Sequence, residues 1–296
     1  MARFDLCLAW NWEYDAGFAR LLEEACARRG LALLQVTPAS LDERLSALER
    51  GELTFRALLD RASDSDDRFQ PLVTWAQAAG SLRFNPQEQA RWAWDKATMH
   101  LEFISRGLHT PHTLILPPQQ EHPDLPALDL ALLGGSFAIK PAVGGGGWGV
   151  VLEATTAQQV QAARCEYPAE KVLLQAHVAP AVLDGRPAWF RVLVCRDAVY
   201  PCWWDMHSHA YTRLAAADSA RLQLAELRQV ARRIAGICRL DLFSTEIART
   251  EHGDLLIIDT VNDPVDLRLR SAAQDGVPDA IVEDIAARLA RRVALL

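Results

Sequence analysis

The thirteen residues from Ala138 to Val150 carry the pattern with the clearest chemical meaning. An apolar run ends in Lys140, five of the six residues from Gly144 to Gly149 are glycine, and a second apolar run begins at Val150. Without Cβ atoms, Gly144, Gly145, Gly146 and Gly147 let backbone N–H groups approach phosphate oxygens. Lys140 adds positive charge at the same end. A glycine run carries an entropic penalty on folding, so a bound phosphate explains it better than a bare flexible hairpin. It is neither a Walker A loop nor a dinucleotide-binding loop, because no helix follows directly.

A second constellation is acidic. Glu246 lies on one late strand, and Asp259-Thr260-Val261-Asn262-Asp263 ends its neighbour. Carboxylate and amide oxygens at adjacent strand ends suit a hard cation such as Mg²⁺. The apolar run from Leu255 to Ile258 argues against plain solvation of Asp259. Asp95-Lys96 sits on the helix before Pro111, where a lysine by itself is usually solvated. His207-x-His209 has the spacing of a metal pair but is more often a polar loop.

These groups need elements to hold them. Phe4 to Trp10, a helix from Asp15 as N-cap to Gly30, and Leu31 to Val36 read as strand, helix, strand, which implies parallel pairing. The turn Trp10-Asn11-Trp12-Glu13-Tyr14 lacks GxGxxG, which disfavours NAD. Phe55 to Leu59, a helix over Phe69 to Ala79 and an extended Leu82 to Phe84 complete a first lobe. One helix is expected from about Gln87 to Ser105, closed by Gly107. Thr113 to Leu116 reads as a strand and the segment 117–126, with four prolines, as a loop. Strands follow at Phe137 to Lys140, Val150 to Leu152, Val172 to Gln175, Phe190 to Cys195 and Ala198 to Trp203. A long helix is expected from Asp218 or Ser219, with Leu227, Val230, Ile234 and Ile237 on one face. A hairpin of Leu242 to Ala248 and Leu255 to Asp259 follows, and an amphipathic helix from Pro278.

Composition bounds the rest. The 296 residues are 50% hydrophobic and 23% charged, enough for one large or several small globular domains. A net charge of −7 argues against general nucleic-acid binding. The six cysteines form no CxxC pair and mostly lie in apolar runs, which reads as a reduced, cytoplasmic chain. No apolar stretch is long enough to span a membrane. A homo-oligomer is compatible with the sequence.

In order, these features resemble the ATP-grasp superfamily, nearest to its ribosomal-protein glutamate ligase and glutathione synthetase branches. Asn85-Pro86, Asp95-Lys96, Gly107 and Pro111-His112-Thr113 are similar to the family's opening signature, and Phe137 to Val150 to its lysine-plus-glycine flap. Leu173 to Val178 resembles the hinge strand along adenine. Leu240 to Glu246 with Ile257-Ile258-Asp259 and Asn262 resembles the metal-binding hairpin, and Asp60-Arg61 a strand end of the first lobe. The resemblance spans residues 55–270.

The resemblance implies an α/β fold of α+β lobes. These are a Rossmann-like pre-ATP-grasp lobe at 1–95, a central lid lobe with the flap at 96–178, and a C-terminal lobe with the metal site at 179–296. It implies that Lys96 and Lys140 contact ATP phosphates, that Gly144 to Gly147 fold over them, and that Gln175 with the backbone of Ala176 to Val178 meets adenine. Arg191 would face the transferring phosphoryl group, and Glu246, Asp259 and Asn262 would hold Mg²⁺. The implied reaction joins a carboxylate to an amine, on a small molecule or a peptide, through an acyl phosphate made with ATP. A small-molecule kinase on the same fold and a non-catalytic nucleotide-binding protein are the alternatives.

Four positions depart from the family pattern. Glu246 stands where Asp is commoner, Ala176 where an acid is common, and Trp189 where an acid is expected two residues before Arg191. The family's Glu-x-Asn becomes Asp259-x-x-Asn262, and a plain strand would face these two opposite ways. Either a bulge restores the pair or Thr260 takes the acid's place and the site loses a charge. Nine tryptophans are many for this length. Trp10 and Trp12 follow the first strand, where open α/β sheets bind ligands, and Trp203, Trp204, His207 and His209 share one segment. They either line a pocket for a planar or apolar substrate or belong to the core.

Overall fold

Strands alternating with helices at the start of the chain form a parallel sheet. The computed structural model describes residues 1–125 and 127–296. The first lobe contains β1 (Ala2–Trp10), α1 (Ala16–Ala27), β2 (Leu33–Val36), α2 (Leu41–Glu49), β3 (Leu53–Arg61), α3 (Gln70–Ala78) and β4 (Leu82–Phe84). Its strands are all parallel, in the order β2-β1-β3-β4. The sequence reading missed α2, although Leu41, Leu45 and Leu48 recur at helical spacing, and all three pack beneath the sheet.

Two helices follow, α4 (Gln87–Trp94) and α5 (Lys96–Ser105), where one was expected. Asp95 breaks them: its backbone is extended (φ −71°, ψ 98°), and its carboxylate accepts the Thr98 N–H at 2.9 Å as the N-cap of α5. An antiparallel sheet comes next, from β5 (Thr113–Leu116), β6 (Phe137–Pro141), β7 (Val151–Ala154) and, after α6 (Ala157–Glu166), β8 (Val172–Ala176). Its order is β5-β8-β6-β7. The segment from 117 to 125 is irregular apart from a turn, as expected, while Pro126 lies outside the described residues.

The third part opens with a short ladder, β9 (Val182–Leu183) and β10 (Arg186–Pro187). It continues with β11 (Trp189–Cys195), β12 (Ala198–Trp204), β13 (Tyr211–Arg213), α7 (Ala216–Arg221), α8 (Glu226–Cys238), β14 (Leu242–Arg249), β15 (Leu255–Asn262) and α9 (Asp279–Val293). The five longer strands form an antiparallel sheet, β13-β12-β11-β14-β15. The helix expected from Asp218 is interrupted: α7 stops at Arg221, Gln223 has φ +55°, and the long helix starts only at Glu226.

One face of the third sheet packs on α8 through Phe190, Val192, Phe243, Ile234 and Ile237. Its other face shares a single core with the first lobe, in which Leu193, Cys195 and Leu242 meet Leu6, Leu8, Phe18 and Leu22 around Ile281, Ile285 and Leu289 of α9. The lid sheet keeps its own core of Leu116, Phe137, Ile139, Val160 and Leu174. All six cysteines are free and five are buried. Among the described residues no helix is long and apolar enough to cross a membrane.

Asp15, read as the α1 cap, makes no cap hydrogen bond. Its carboxylate instead accepts Nε and Nη2 of Arg61 at 2.8 and 2.7 Å, with both side chains almost fully buried. Arg61 Nη1 also donates to the Val265 carbonyl at 2.9 Å, tying the end of β3 to the segment after β15. Removing one partner would strand a buried charge. Asp15→Ala is therefore expected to lower stability by about 3–5 kcal/mol. Urea unfolding checks this, and a loss typical of a surface pair would contradict it.

Candidate active site

The site is built on one face of the β11–β14–β15 ladder. Arg191 lies opposite Glu246 across β11 and β14. Glu246 lies opposite Asp259, and Ser244 opposite Asn262. Residues directly opposite each other in a ladder share a face, and so do Ser244 and Glu246, two apart on one strand. Asp259 and Asn262 therefore share the face of Glu246. Two register shifts in β15 make this possible: the three steps from Asp259 to Asn262 face two on β14, and the two steps from Ile257 to Asp259 face one. The bulge answers the spacing question. Asp259 and Asn262 point the same way, and Thr260 does not take the acid's place.

Three cations reach this face from three elements. From β11, Arg191 Nη1 donates to Glu246 Oε1 at 3.0 Å and Nε to Ser244 Oγ at 3.3 Å. Trp189, where an acid was expected, donates Nε1 to Glu246 Oε2 at 3.2 Å. From β6, Lys140 Nζ donates to Gln175 Oε1 on β8 at 2.7 Å and to the Ile258 carbonyl on β15 at 3.3 Å, so one side chain joins lid and third sheet. From the first turn of α5, Lys96 donates Nζ to the Gly144 carbonyl of the flap.

Their charges shape the acids. Burial alone would raise the pKa of Asp259, but Lys96, Lys140 and Arg191 outweigh it and hold the carboxyl below its ordinary range. Glu246 moves the other way, because burial and the Asp259 charge together exceed the help from Arg191. Burial lowers Lys140 despite both acids.

Backbone bonds root the flap. Lys96 N donates to the Ala142 carbonyl and Ala142 N to the Lys171 carbonyl, each at 2.8 Å. Lys171 Nζ donates to Asp95 Oδ2 at 2.6 Å. Gly144, Gly146 and Gly147 have positive φ, and a Cβ on any of them would meet open space, so conformation rather than crowding demands glycine there. Gly149 is different: a Cβ would lie 2.7 Å from Tyr167 and 2.8 Å from Pro141. On the hinge strand Gln175 is buried, Ala176 and Val178 are half-buried, and the Ala176 N–H already bonds the His112 carbonyl at 2.9 Å.

The donor set fits a hard divalent ion. Glu246, Asp259 and Asn262 each carry an oxygen donor, and the buried Asn262 amide stands beside the Asp259 carboxylate, where it helps to keep that group ionised. Two carboxylates and an amide leave other ligands to phosphate and water, as is usual for Mg²⁺. Among the described residues no group of three or more His, Cys, Asp or Glu stands together as a metal site, so any ion at Glu246 and Asp259 would draw on the Asn262 amide and on ligands from outside the chain.

Asp263, next along the chain, accepts from Asn85 Nδ2 at 2.6 Å. Burial raises its pKa from 3.8 to about 7. A carboxyl raised in the folded state favours folding fully below its unfolded value and loses that contribution as pH climbs to the folded value. Asp263→Asn is expected to flatten stability against pH between about 4 and 7 and to exceed wild type above that window. Urea midpoints across pH measure it, and an unchanged slope would contradict it.

No sequence model of a known family matches the chain, and no curated protein does. Solved structures do match. A RimK-domain ATP-grasp protein from Sphaerobacter thermophilus is 21% identical, covers 97% of this chain and 98% of its own, and superposes with a TM-score of 0.66. D-alanine–D-alanine ligase from Bacillus anthracis, complexed with ATP, is 12% identical over 100% and 99% of the two chains, with a TM-score of 0.65. The ATP-grasp ligase PsnB, complexed with a minimal precursor, Mg and ADP, is 14% identical over 98% and 97%, with a TM-score of 0.60. With matches over almost its whole length and the paired-acid hairpin facing a lysine-bearing lid sheet, this chain has the ATP-grasp fold.

Proposed function

We propose that this protein is an ATP-dependent carboxylate–amine ligase that works with Mg²⁺. The observation that carries the reading is the convergence of Lys96, Lys140 and Arg191 on the Glu246–Asp259 face, beneath a flap whose glycines are there for backbone conformation. A polyphosphate brings the negative charge that such a set of cations suits, and phosphoryl transfer depends on positioning and charge neutralisation more than on a covalent catalyst. Two of the similar folds are ligases solved with nucleotide, the D-alanine–D-alanine ligase with ATP and PsnB with Mg and ADP. PsnB is complexed with a peptide precursor, so a peptide as well as a small molecule is a reasonable substrate.

In this reading Lys140 and Lys96 leave Gln175 and Gly144 to bind phosphate oxygens, and flap N–H groups close over them. Adenine would lie along the hinge beside Gln175, recognised by the backbone from His177 to Val178, since the Ala176 N–H is engaged within the sheet. Mg²⁺ held by Glu246, Asp259 and Asn262 would neutralise charge on the phosphates. A substrate carboxylate oxygen attacks the γ-phosphorus and the bond to ADP breaks. An amine then attacks the acyl carbon, loses a proton and expels phosphate. Arg191 stabilises the charge on the transferred group. The lobe division at 1–95, 96–178 and 179–296 is part of this proposal.

The non-catalytic alternative drew on the altered metal strand, and the common face of Asp259 and Asn262 favours the catalytic reading over it. Products separate ligase from kinase, because a ligase releases free phosphate and a kinase does not.

The first test is thermal melting with a non-hydrolysable ATP analogue, with and without Mg²⁺. A bound ligand should raise Tm by mass action, the rise should need Mg²⁺, and Lys140→Ala should abolish it. No shift at millimolar nucleotide would sink the assignment. Asp259→Ala and Glu246→Ala should each lower amine-dependent phosphate release by about 100-fold or more while leaving the circular dichroism spectrum unchanged. Full activity in both would remove the metal site.

A further inference from the structure

We propose that Trp204 is a positioning residue for Arg191, its indole face fixing the plane of the guanidinium above the Glu246–Asp259 pair. The inference rests on the nucleotide reading above. Arg191 pairs across the ladder with Cys202, and Trp204 stands two residues further along β12, on the same face. The guanidinium carbon lies 4.8 Å from the Trp204 ring centroid. Glu246 and Ser244 together engage only two of the five N–H donors of Arg191. They set where the group sits but leave it free to swing about that edge and collapse onto Glu246. Contact with an aromatic face limits the swing and adds cation–π attraction.

Trp204 is itself held from two sides. Tyr211, its register partner on β13, meets it edge to face at 4.7 Å and 63°. His209 stacks on it at 5.5 Å with ring planes 6° apart. The 205–210 loop is shaped to bring His209 there: Asp205 Oδ1 accepts the N–H groups of His207 and Ser208, each at 2.9 Å, and Asp205 N closes the turn on the Ala210 carbonyl at 3.1 Å. His209 adopts φ +54°, a left-handed conformation uncommon for a residue with a side chain. That turn of the backbone brings the imidazole over the indole face. The HxH spacing thus marks a turn and a stacking ring, and Trp204 is neither plain core nor a substrate platform.

The test compares calorimetric affinities for AMP and for a Mg-bound non-hydrolysable ATP analogue. Trp204→Leu should weaken the ATP analogue about tenfold, leave AMP unchanged, and add nothing further in an Arg191→Gln background. Trp204→Phe, which keeps an aromatic face, should recover most of the loss. If Trp204→Leu does not fold, His209→Ala leaves β12 intact and should show the same selective loss, about threefold. Equal loss for both nucleotides, no loss, or losses that multiply with Arg191→Gln would overturn the positioning role while leaving the nucleotide site standing. Failure of the wild type to bind either nucleotide would overturn the functional reading and this inference together.

Discussion

Two carboxylates directly opposite each other in an antiparallel ladder repel, and Glu246 and Asp259 occupy such a pair of positions. Much of the architecture around them offsets that repulsion. No single element supplies the compensating charge: Arg191 comes from the same sheet, Lys140 from the lid and Lys96 from the start of α5. The lid sheet therefore meets the third sheet through ionic and polar groups, with Lys140 bonded to the Ile258 carbonyl. The charge distribution is uneven. Asp259 is held ionised while Glu246, already satisfied by Arg191 and Trp189, is pushed toward its neutral form. A site poised in this way responds to any ligand that alters the balance of charge above it.

The three parts of the chain are joined by different physics. First lobe and third sheet share one continuous apolar core around α9, and the Arg61–Asp15 pair is sealed against the same segment through Val265. Where the lid sheet joins α5 and the third sheet, polar ties (Lys140, the Asp95–Lys171 pair and the Lys96–Ala142 backbone bond) stand beside only a small apolar cluster of Ala97, Ala142 and Leu173. Shared apolar cores resist separation because parting them exposes the whole surface to water. Polar ties can be exchanged for bonds to a ligand or to solvent at small net difference. In the proposed reading, closure around a nucleotide would therefore fall to the lid sheet, with the other two parts as its floor.

Much of this was legible in the sequence because periodicity and turn chemistry agreed with the tertiary structure. β1, β4, β5, β8 and the β14–β15 hairpin lie where apolar runs and turn residues placed them. The glycine flap and its lysine were the strongest signal, and they do stand beside the paired acids. The readings that failed did so where one side chain redirected the backbone. Asp95 carries an ordinary helix-compatible composition on both sides, yet by capping α5 it ends α4 and brings Lys96 to a helix start. Asp15 looked like a cap and was recruited by an arginine 46 positions away in sequence. Pairing at that range has no local signature. Ser244 was not read as a site residue, and Trp189 and Trp204 were noted only as a departure from the family pattern and as one of several pocket-or-core aromatics, although each lies at the strand period that puts it near Arg191.

The strained positions make a related point. Local preferences are most often overridden where function demands it, and here several overrides gather around one face. The β15 bulge breaks the ladder register to turn Asp259 and Asn262 the same way. Asn85, at φ +59°, donates to Asp263 and the Leu242 carbonyl and accepts the N–H groups of Asp241 and Leu242, locking the start of β14. His209, also left-handed, returns over Trp204. A bulge alone would give two acids on one face; without Asn85 fixing β14 and the indole fixing Arg191, their partner strand and counter-charge would be free to shift. The departures from the usual spacing are thus compensated by neighbours that restore the geometry of two acids on one face.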